Sequence, residues 1–181
     1  MQGSIYTALA DMVIEQQGLE KWNQLLALTR PPSGGAYTSG EQYQDSELTD
    51  MLAALAEEKN ISLEKSVEDF GEYLFKKLYD NSPVDVSRLD NLKDFLLAID
   101  QVIHAEVKRL HPDAYLPKFA YEQTQADTLI MYYSSKRKLC HACIGLITGA
   151  AKQFNETIEI SQPQCMHLGA QRCKLVIRFK G

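Results

Sequence analysis

The spacing of apolar residues changes halfway along the chain. In the first half they recur every three or four positions, which is typical of amphipathic helices. Ser4 is positioned to cap the first helix, whose apolar stripe includes Ile5 and Leu9. The pattern predicts further helices over residues 18–28, 46–59, 62–80 and 90–110, and a loop over 31–40. We expect a break near Gly71 to divide residues 62–80 into two short helices.

The second half is richer in β-branched and aromatic residues. They predict strands over residues 118–123, 128–137, 157–162 and 172–179, with a helix over 141–154. This order indicates an α+β fold: an N-terminal helical lobe, then a C-terminal lobe with a four-stranded antiparallel sheet and helices. We expect a single domain over residues 1–181, with a helical subdomain over about 1–62 and a second subdomain over about 63–181.

Composition narrows the classes of protein to consider. The 181 residues are 45% hydrophobic and 24% charged, and the net charge of −5 argues against a general binder of nucleic acid or anionic membranes. The sequence contains neither a membrane span nor the basic segment of a signal peptide, so we expect a cytoplasmic protein. Its four cysteines are then expected to be reduced thiols or metal ligands.

Three polar residues occupy alternate positions of the second predicted strand. Tyr133, Ser135 and Arg137 would share one face of that strand, next to an apolar run over residues 129–131. Such a face is either an exposed strand surface with an incidental arginine, or a buried site that needs hydrogen-bond donors and a fixed positive charge.

A histidine lies at the edge of the apolar stripe of the longest predicted helix. His104 follows Ile103 and therefore faces the margin of the core. It is either a core histidine bonded to a backbone carbonyl or an axial ligand of a metal or haem. Taken with the Tyr133, Ser135 and Arg137 face, the second interpretation gains weight. A haem needs one ligand for its iron and a cationic, hydrogen-bonding site for its two propionates.

These residues occur in a recognisable order. With the start MQGSIY, Gly71, His104, Pro117 in HPDAYLPKF and the Y-x-S-x-R motif over residues 133–137, the whole chain resembles the haem nitric oxide/oxygen-binding (H-NOX) family. The resemblance is to bacterial stand-alone members, which are related to the haem domain of soluble guanylate cyclase. It implies a haem b between the two lobes.

The resemblance also implies a role for each residue of the motif set. His104 would be the one protein ligand of the iron, and Tyr133, Ser135 and Arg137 would bind the propionates. Pro117 would press on the porphyrin and distort it, whereas without the resemblance it is simply a turn or strand-entry proline.

Gas selectivity is inferred from the residues expected on the other face of the haem. Family members that bind oxygen stably resemble one another in a distal tyrosine, and its position here is Ala142. The asparagine that partners it corresponds to Leu74. Further residues expected to line this distal pocket are Ile5, Leu9 and Leu146. An apolar pocket favours nitric oxide, and carbon monoxide, over oxygen, although His141 and Cys143 flank Ala142.

The resemblance implies a sensor without catalytic activity, because the distal set offers no acid–base group. Nitric oxide weakens the bond trans to it, so the link between His104 and iron would break and the N-terminal helices would pivot near Gly71. The sequence ends at Gly181, directly after the last predicted strand. We therefore expect a separate effector, either a sensor histidine kinase or a cyclic-di-GMP enzyme.

The cysteines allow a second metal site. Some family members carry zinc on three cysteines and a histidine, and the cysteines correspond to Cys140, Cys165 and Cys173. The histidine position is Gln162 here, which leaves His167, His141 or Cys143 as the fourth ligand. Buried reduced thiols and a redox pair remain alternatives. The rival functions are accordingly a cysteine- or zinc-based redox regulator and a zinc-stabilised interaction domain.

Overall fold

The computed structural model describes residues 1–180, so Gly181, at which the sequence ends, lies outside the described residues. Its first half is helical. The helices are α1 (Gly3–Gln17), α2 (Leu19–Thr29), α3 (Asp45–Lys59) and α4 (Leu63–Asp80), followed by a short 3-10 turn (Val86–Arg88).

The second half begins with two helical segments and ends in a sheet. Helices α5 (Leu92–Ala98) and α6 (His104–Leu110) precede strands β1 (Lys118–Gln125) and β2 (Thr128–Ser134), helix α7 (Cys140–Gln153), and strands β3 (Thr157–Gln164) and β4 (Cys173–Lys180). The strands pair in the order β1-β2-β4-β3, and every neighbouring pair is antiparallel. The predicted α+β class with a four-stranded antiparallel sheet is confirmed.

Helix α4 is continuous, so the predicted break near Gly71 is wrong. A Cβ atom at Gly71 would lie 2.3 Å from the carbonyl oxygen of Ala142 in α7. Glycine is therefore present because α4 and α7 approach closely there, and not because the chain turns.

The longest predicted helix is interrupted. It ends at Leu110 as expected, but residues Ile99–Ile103 form a π turn between α5 and α6. Turns of this kind insert one extra residue into a helix and are frequent at functional sites. This one ends directly before His104.

Strand β2 is shorter than predicted, because it ends at Ser134. Ser135 and Arg137 lie instead in a turn that includes Lys138 at a φ of 51°. Of the three polar residues, only Tyr133 therefore lies on the strand. The turn, and not the strand, directs the other two side chains.

Helix α1 begins two residues earlier than the Ser4 cap implied. The residue before it, Gln2, makes no side-chain capping bond, and the backbone N–H of Gly3 donates to the carbonyl of Glu41 at 2.9 Å. Contact with the loop before α3 thus replaces a local cap.

Two apolar clusters form the interior. One is built by α1, α2 and α3 with one face of α4, and the other by the sheet with α5 and α7. Helix α4 contributes Phe70 and Leu74 to the first cluster and Phe75 to the second. The subdomain boundary near residue 62 stays a prediction. Within residues 1–180, no helix combines the length and apolar character needed to cross a membrane.

Candidate functional site

A cavity of about 880 Å³ lies where the two clusters meet. Its walls include nearly all the residues singled out from the sequence: Ile5, Leu74, His104, Pro117, Tyr133, Ser135, Arg137, Ala142 and Leu146. Leu9 is fully buried in the helical cluster and is not among the described residues that line the cavity. One cavity thus collects side chains from both halves of the chain.

His104 begins α6 and lies on the sheet side of the cavity. Its side chain is 18% exposed, and Asp100 Oδ1 is 3.6 Å from Nδ1, longer than a hydrogen bond. Nδ1 is buried and makes no hydrogen bond within the described chain. The imidazole stacks on Phe119, with ring centroids 5.6 Å apart. Burial lowers the pKa of His104, so the ring is neutral and offers a lone pair at neutral pH.

Two buried hydroxyl groups lie at the end of β2. The backbone N–H of Leu139 donates to Tyr133 Oη at 2.9 Å, and that of Arg137 donates to Ser135 Oγ at 3.2 Å. Both side chains are buried, at 3% and 5% exposed. Burial raises the pKa of Tyr133, so its hydroxyl keeps its proton and can donate to an anion.

Arg137 joins the two lobes by polar contacts. Its Nε donates to Asp45 Oδ2 at 2.6 Å, and its Nη1 donates to the carbonyl of Tyr115 at 2.7 Å. Asp45 also pairs with the N-terminal ammonium of Met1 at 2.9 Å. Burial alone would raise the pKa of Asp45, but hydrogen bonds from Arg137 and the ammonium lower it below its usual range. The guanidinium is therefore already fixed in position at the cavity wall.

The cavity wall around Ala142 is apolar. Ile5, Ala142 and Leu146 pack against the helical cluster that contains Phe70 and Leu74. These side chains carry no hydrogen-bond donor. Ile5 and Ala142 pack against the helical cluster and Leu146 packs against both clusters, whereas Ile103 and Phe119 pack against the sheet cluster.

The two polar neighbours of Ala142 in sequence, His141 and Cys143, lie in different surroundings. His141 Nδ1 lies 2.9 Å from Glu68 Oε1 on α4, and His141 is not among the described lining residues. Cys143 does line the cavity, and burial raises the pKa of its thiol, so it is neutral there.

The cavity suits a haem in its chemistry. A haem requires a neutral nitrogen for iron, and His104 is a buried imidazole with an unused nitrogen. It also carries two carboxylates, which suit the hydroxyls of Tyr133 and Ser135 and the guanidinium of Arg137. Apolar walls would cover the remaining macrocycle.

Three of the four cysteines converge outside this cavity. The sulfur atoms of Cys140, Cys165 and Cys173 lie within 4.8 Å of one another, and all three residues are buried. Burial raises the pKa of Cys140 to about 12, so its thiol is protonated when no cation is present. Cys143 lies apart from this group.

None of the residues considered as a fourth zinc ligand joins this group within the described chain. His167 Nε2 is 2.7 Å from the carbonyl oxygen of Lys138, and His141 pairs with Glu68. Cys143 faces the large cavity. The three thiols suit zinc, but the described residues do not supply the fourth ligand of a structural zinc site.

Sequence reasoning missed three groups that hold Arg137 in place at the cavity. Asp45, the ammonium of Met1 and the carbonyl of Tyr115 all contact the Arg137 network. Asp45 is 92 positions from Arg137, and no local pattern indicates a pairing over that distance.

Comparison with known proteins agrees with this geometry. A family model described as Haem-NO-binding matches residues 2–162. An H-NOX protein from S. oneidensis in the Fe(II)NO ligation state is 34% identical, with 100% of each chain covered and a TM-score of 0.93.

Two further solved structures are similar. An H-NOX domain from Shewanella oneidensis in the Fe(II)CO state is 34% identical, covering 100% of this chain and 99% of that one, with a TM-score of 0.89. An unliganded Fe(II) H-NOX protein from K. algicida is 29% identical, covering 100% and 97%, with a TM-score of 0.88. The chain therefore belongs to the haem-NO-binding, or H-NOX, family, whose members are haem-based gas sensors and not enzymes.

Proposed function

We propose that this chain is a nitric oxide sensor in which His104 is the one protein ligand of a ferrous haem. The observation that carries the proposal is a buried, neutral imidazole with an unused nitrogen, in the same cavity as two buried hydroxyls and a fixed guanidinium. No other function considered requires all of these groups in one cavity.

In this proposal, different residues of the cavity wall bind different parts of the haem. Bound haem would supply a ferrous iron that can bind nitric oxide or carbon monoxide. His104 would hold the iron through an imidazole nitrogen, and Asp100 Oδ1 lies 3.6 Å from its Nδ1. Tyr133, Ser135 and Arg137 bind the propionates, and Pro117 contacts the porphyrin from the cavity wall.

Selectivity for nitric oxide rests on the wall opposite His104. Oxygen gains negative charge when it binds ferrous iron and is retained best by a hydrogen-bond donor, whereas nitric oxide binds well without one. Ala142, Leu74, Ile5 and Leu146 provide no donor. The engagement of His141 with Glu68 supports this assignment, because it keeps the nearest imidazole away from the gas.

His104 would carry the signal in this proposal, because its imidazole would be free to move if bound nitric oxide weakened its link to the haem. The π turn before His104 is the element best suited to respond, because its wider turns are less stable than an α-helix. Val102 in the π turn and Leu110 in α6 are 51% and 47% exposed, so a movement of His104 would be passed to side chains at the surface.

The receiver of the signal is a separate effector, either a sensor histidine kinase or a cyclic-di-GMP enzyme. This part of the proposal is supported by the resemblance to bacterial family members. We place the sensor in the cytoplasm, where a reducing environment suits its four free thiols.

Replacing His104 with glycine tests the ligand assignment. We expect His104→Gly to lose the iron–histidine stretch in resonance Raman spectra of the ferrous haem, and added imidazole to restore an iron–nitrogen stretch. His111→Gly is the matched control, because His111 also lines the cavity, and it should keep the native stretch. If His104→Gly kept that stretch, another residue would be the ligand.

A further inference from the structure

A compact thiol group lies outside the haem cavity, where three separate elements begin or end. Cys140 is the first residue of α7, Cys173 is the first residue of β4, and Cys165 follows β3. Cys140 and Cys173 are 0% exposed and Cys165 is 9% exposed. The Cys140 and Cys165 sulfurs are 3.8 Å apart. This separation suits two sulfur atoms bound to one soft metal ion, whose bonds to sulfur are roughly 2.3 Å long.

Three features around the group would stabilise thiolates once a cation is bound. The backbone N–H of Met166 donates to Cys173 Sγ at 3.2 Å. Gln162 acts to lower the pKa of the Cys140 thiol, as a nearby donor does, and its Nε2 is buried with no hydrogen-bond partner in the described chain. The amino end of α7 adds a positive partial charge at Cys140.

The group has three sulfur donors and no fourth ligand of zinc. Gln162 lies beside Cys140, but a neutral amide is not one of the ligands that structural zinc sites use. His141, His167 and Cys143 are engaged elsewhere, as described above. Gln162 is therefore better suited to donate a hydrogen bond to a coordinated thiolate than to coordinate a metal itself.

We propose that Cys140, Cys165 and Cys173 form a three-coordinate thiolate site for monovalent copper, and that Gln162 acts as a hydrogen-bond donor to this site. Soft thiolates select monovalent copper, which accepts three sulfur ligands, whereas structural zinc is almost always held by four. Binding forms three S–Cu bonds and releases three thiol protons to solvent, and the copper keeps its oxidation state.

The three cysteines lie next to the turn that carries Ser135 and Arg137, two of the proposed propionate ligands. Cys140 follows Arg137 by three residues, and His167, between Cys165 and Cys173, contacts the carbonyl of Lys138 in that turn. A metal at the thiols would therefore tie together α7, β4 and the end of β3 next to the haem cavity. The proposal does not depend on the gas-sensing function.

A chelator competition on the haem-loaded, fully reduced chain tests the proposal. In the absence of oxygen, monovalent copper is titrated against bicinchoninate, and zinc against a zinc-specific chelator. We expect one tightly held copper per chain, its loss in Cys173→Ala, and its retention in Cys143→Ala, which removes the buried thiol outside the group. The Soret absorption reports whether each variant is folded.

Gln162→His gives a test that does not rely on loss of a ligand. Adding an imidazole beside the three thiols should complete a zinc site and raise zinc affinity by about tenfold or more. Three results would overturn the proposal. The wild-type chain could hold zinc as tightly as the Gln162→His variant does, it could bind no copper, or the Cys173→Ala variant could still bind copper. Thiols that only form a disulfide on oxidation would give the second result.

Discussion

Arg137 connects three parts of the chain at the cavity. It binds Asp45 at the start of α3 and the carbonyl of Tyr115 before β1, and its guanidinium lies 4.9 Å from the centre of the Tyr115 ring. A side chain with two fixed partners loses little freedom when a third, a carboxylate, binds. This arrangement explains how a residue in a turn can hold a propionate.

Removing the Arg137 charge should weaken haem retention. We expect Arg137→Gln to speed haem loss by about 10-fold or more, because a hydrogen bond to a charged partner contributes about 1.5–3 kcal/mol. Transfer of haem to excess apomyoglobin measures the rate. Arg172→Gln removes an exposed arginine that stacks on Tyr132 instead, and should leave the rate unchanged. Equal rates in all three proteins would exclude Arg137 from propionate binding.

Ala142 is the residue at which gas selectivity can be changed directly. We expect Ala142→Tyr to place a hydroxyl donor in the cavity and to give a ferrous protein whose absorption spectrum changes reversibly in air. Ala142→Phe adds nearly the same volume without a hydroxyl and should show no such change. If both variants responded to oxygen alike, the volume of the side chain at position 142, and not a hydrogen bond from it, would control oxygen binding.

The helices and strands were largely predictable, but their irregularities were not. Apolar periodicity predicted the helices of the first half, and β-branched and aromatic content predicted the four strands in their order along the chain. It missed the π turn at Ile99–Ile103, because one additional residue hardly alters an apolar stripe. It also placed a break at Gly71, since a glycine in a close helix crossing and a glycine in a turn look the same in a sequence.

The crossing of α4 and α7 should be sensitive to single methyl groups. A Cβ atom at Gly145 would lie 2.0 Å from the carbonyl oxygen of Glu68. We expect Gly145→Ala to lower the free energy of unfolding by about 1–3 kcal/mol, since the backbones must separate. Gly40→Ala is the control, because nothing lies within 4 Å of a Cβ there, and its effect should be under about 0.5 kcal/mol. Urea denaturation of the haem-loaded proteins measures both, and equal stabilities would mean that the helices can move apart at little cost.

At the scale of the whole molecule, residues from both apolar clusters line the proposed haem site. Sequence reasoning found His104 and the tyrosine, serine and arginine because each departs from an apolar pattern. It missed Asp45 and the ammonium of Met1, which reach the site only when the helical lobe folds over the turn after β2. Long-range pairs of this kind depend on the tertiary fold and leave no mark on local spacing.

Absorption spectroscopy of the chain produced with haem available tests the central claim most directly. We predict a ferrous Soret band that is unchanged by air, and that shifts with nitric oxide to the position of a five-coordinate nitrosyl haem, which has lost its histidine. A chain with no Soret band would contradict haem binding. A stable ferrous–oxygen spectrum in air would contradict selectivity for nitric oxide, and a nitrosyl haem that stays six-coordinate would contradict the release of His104.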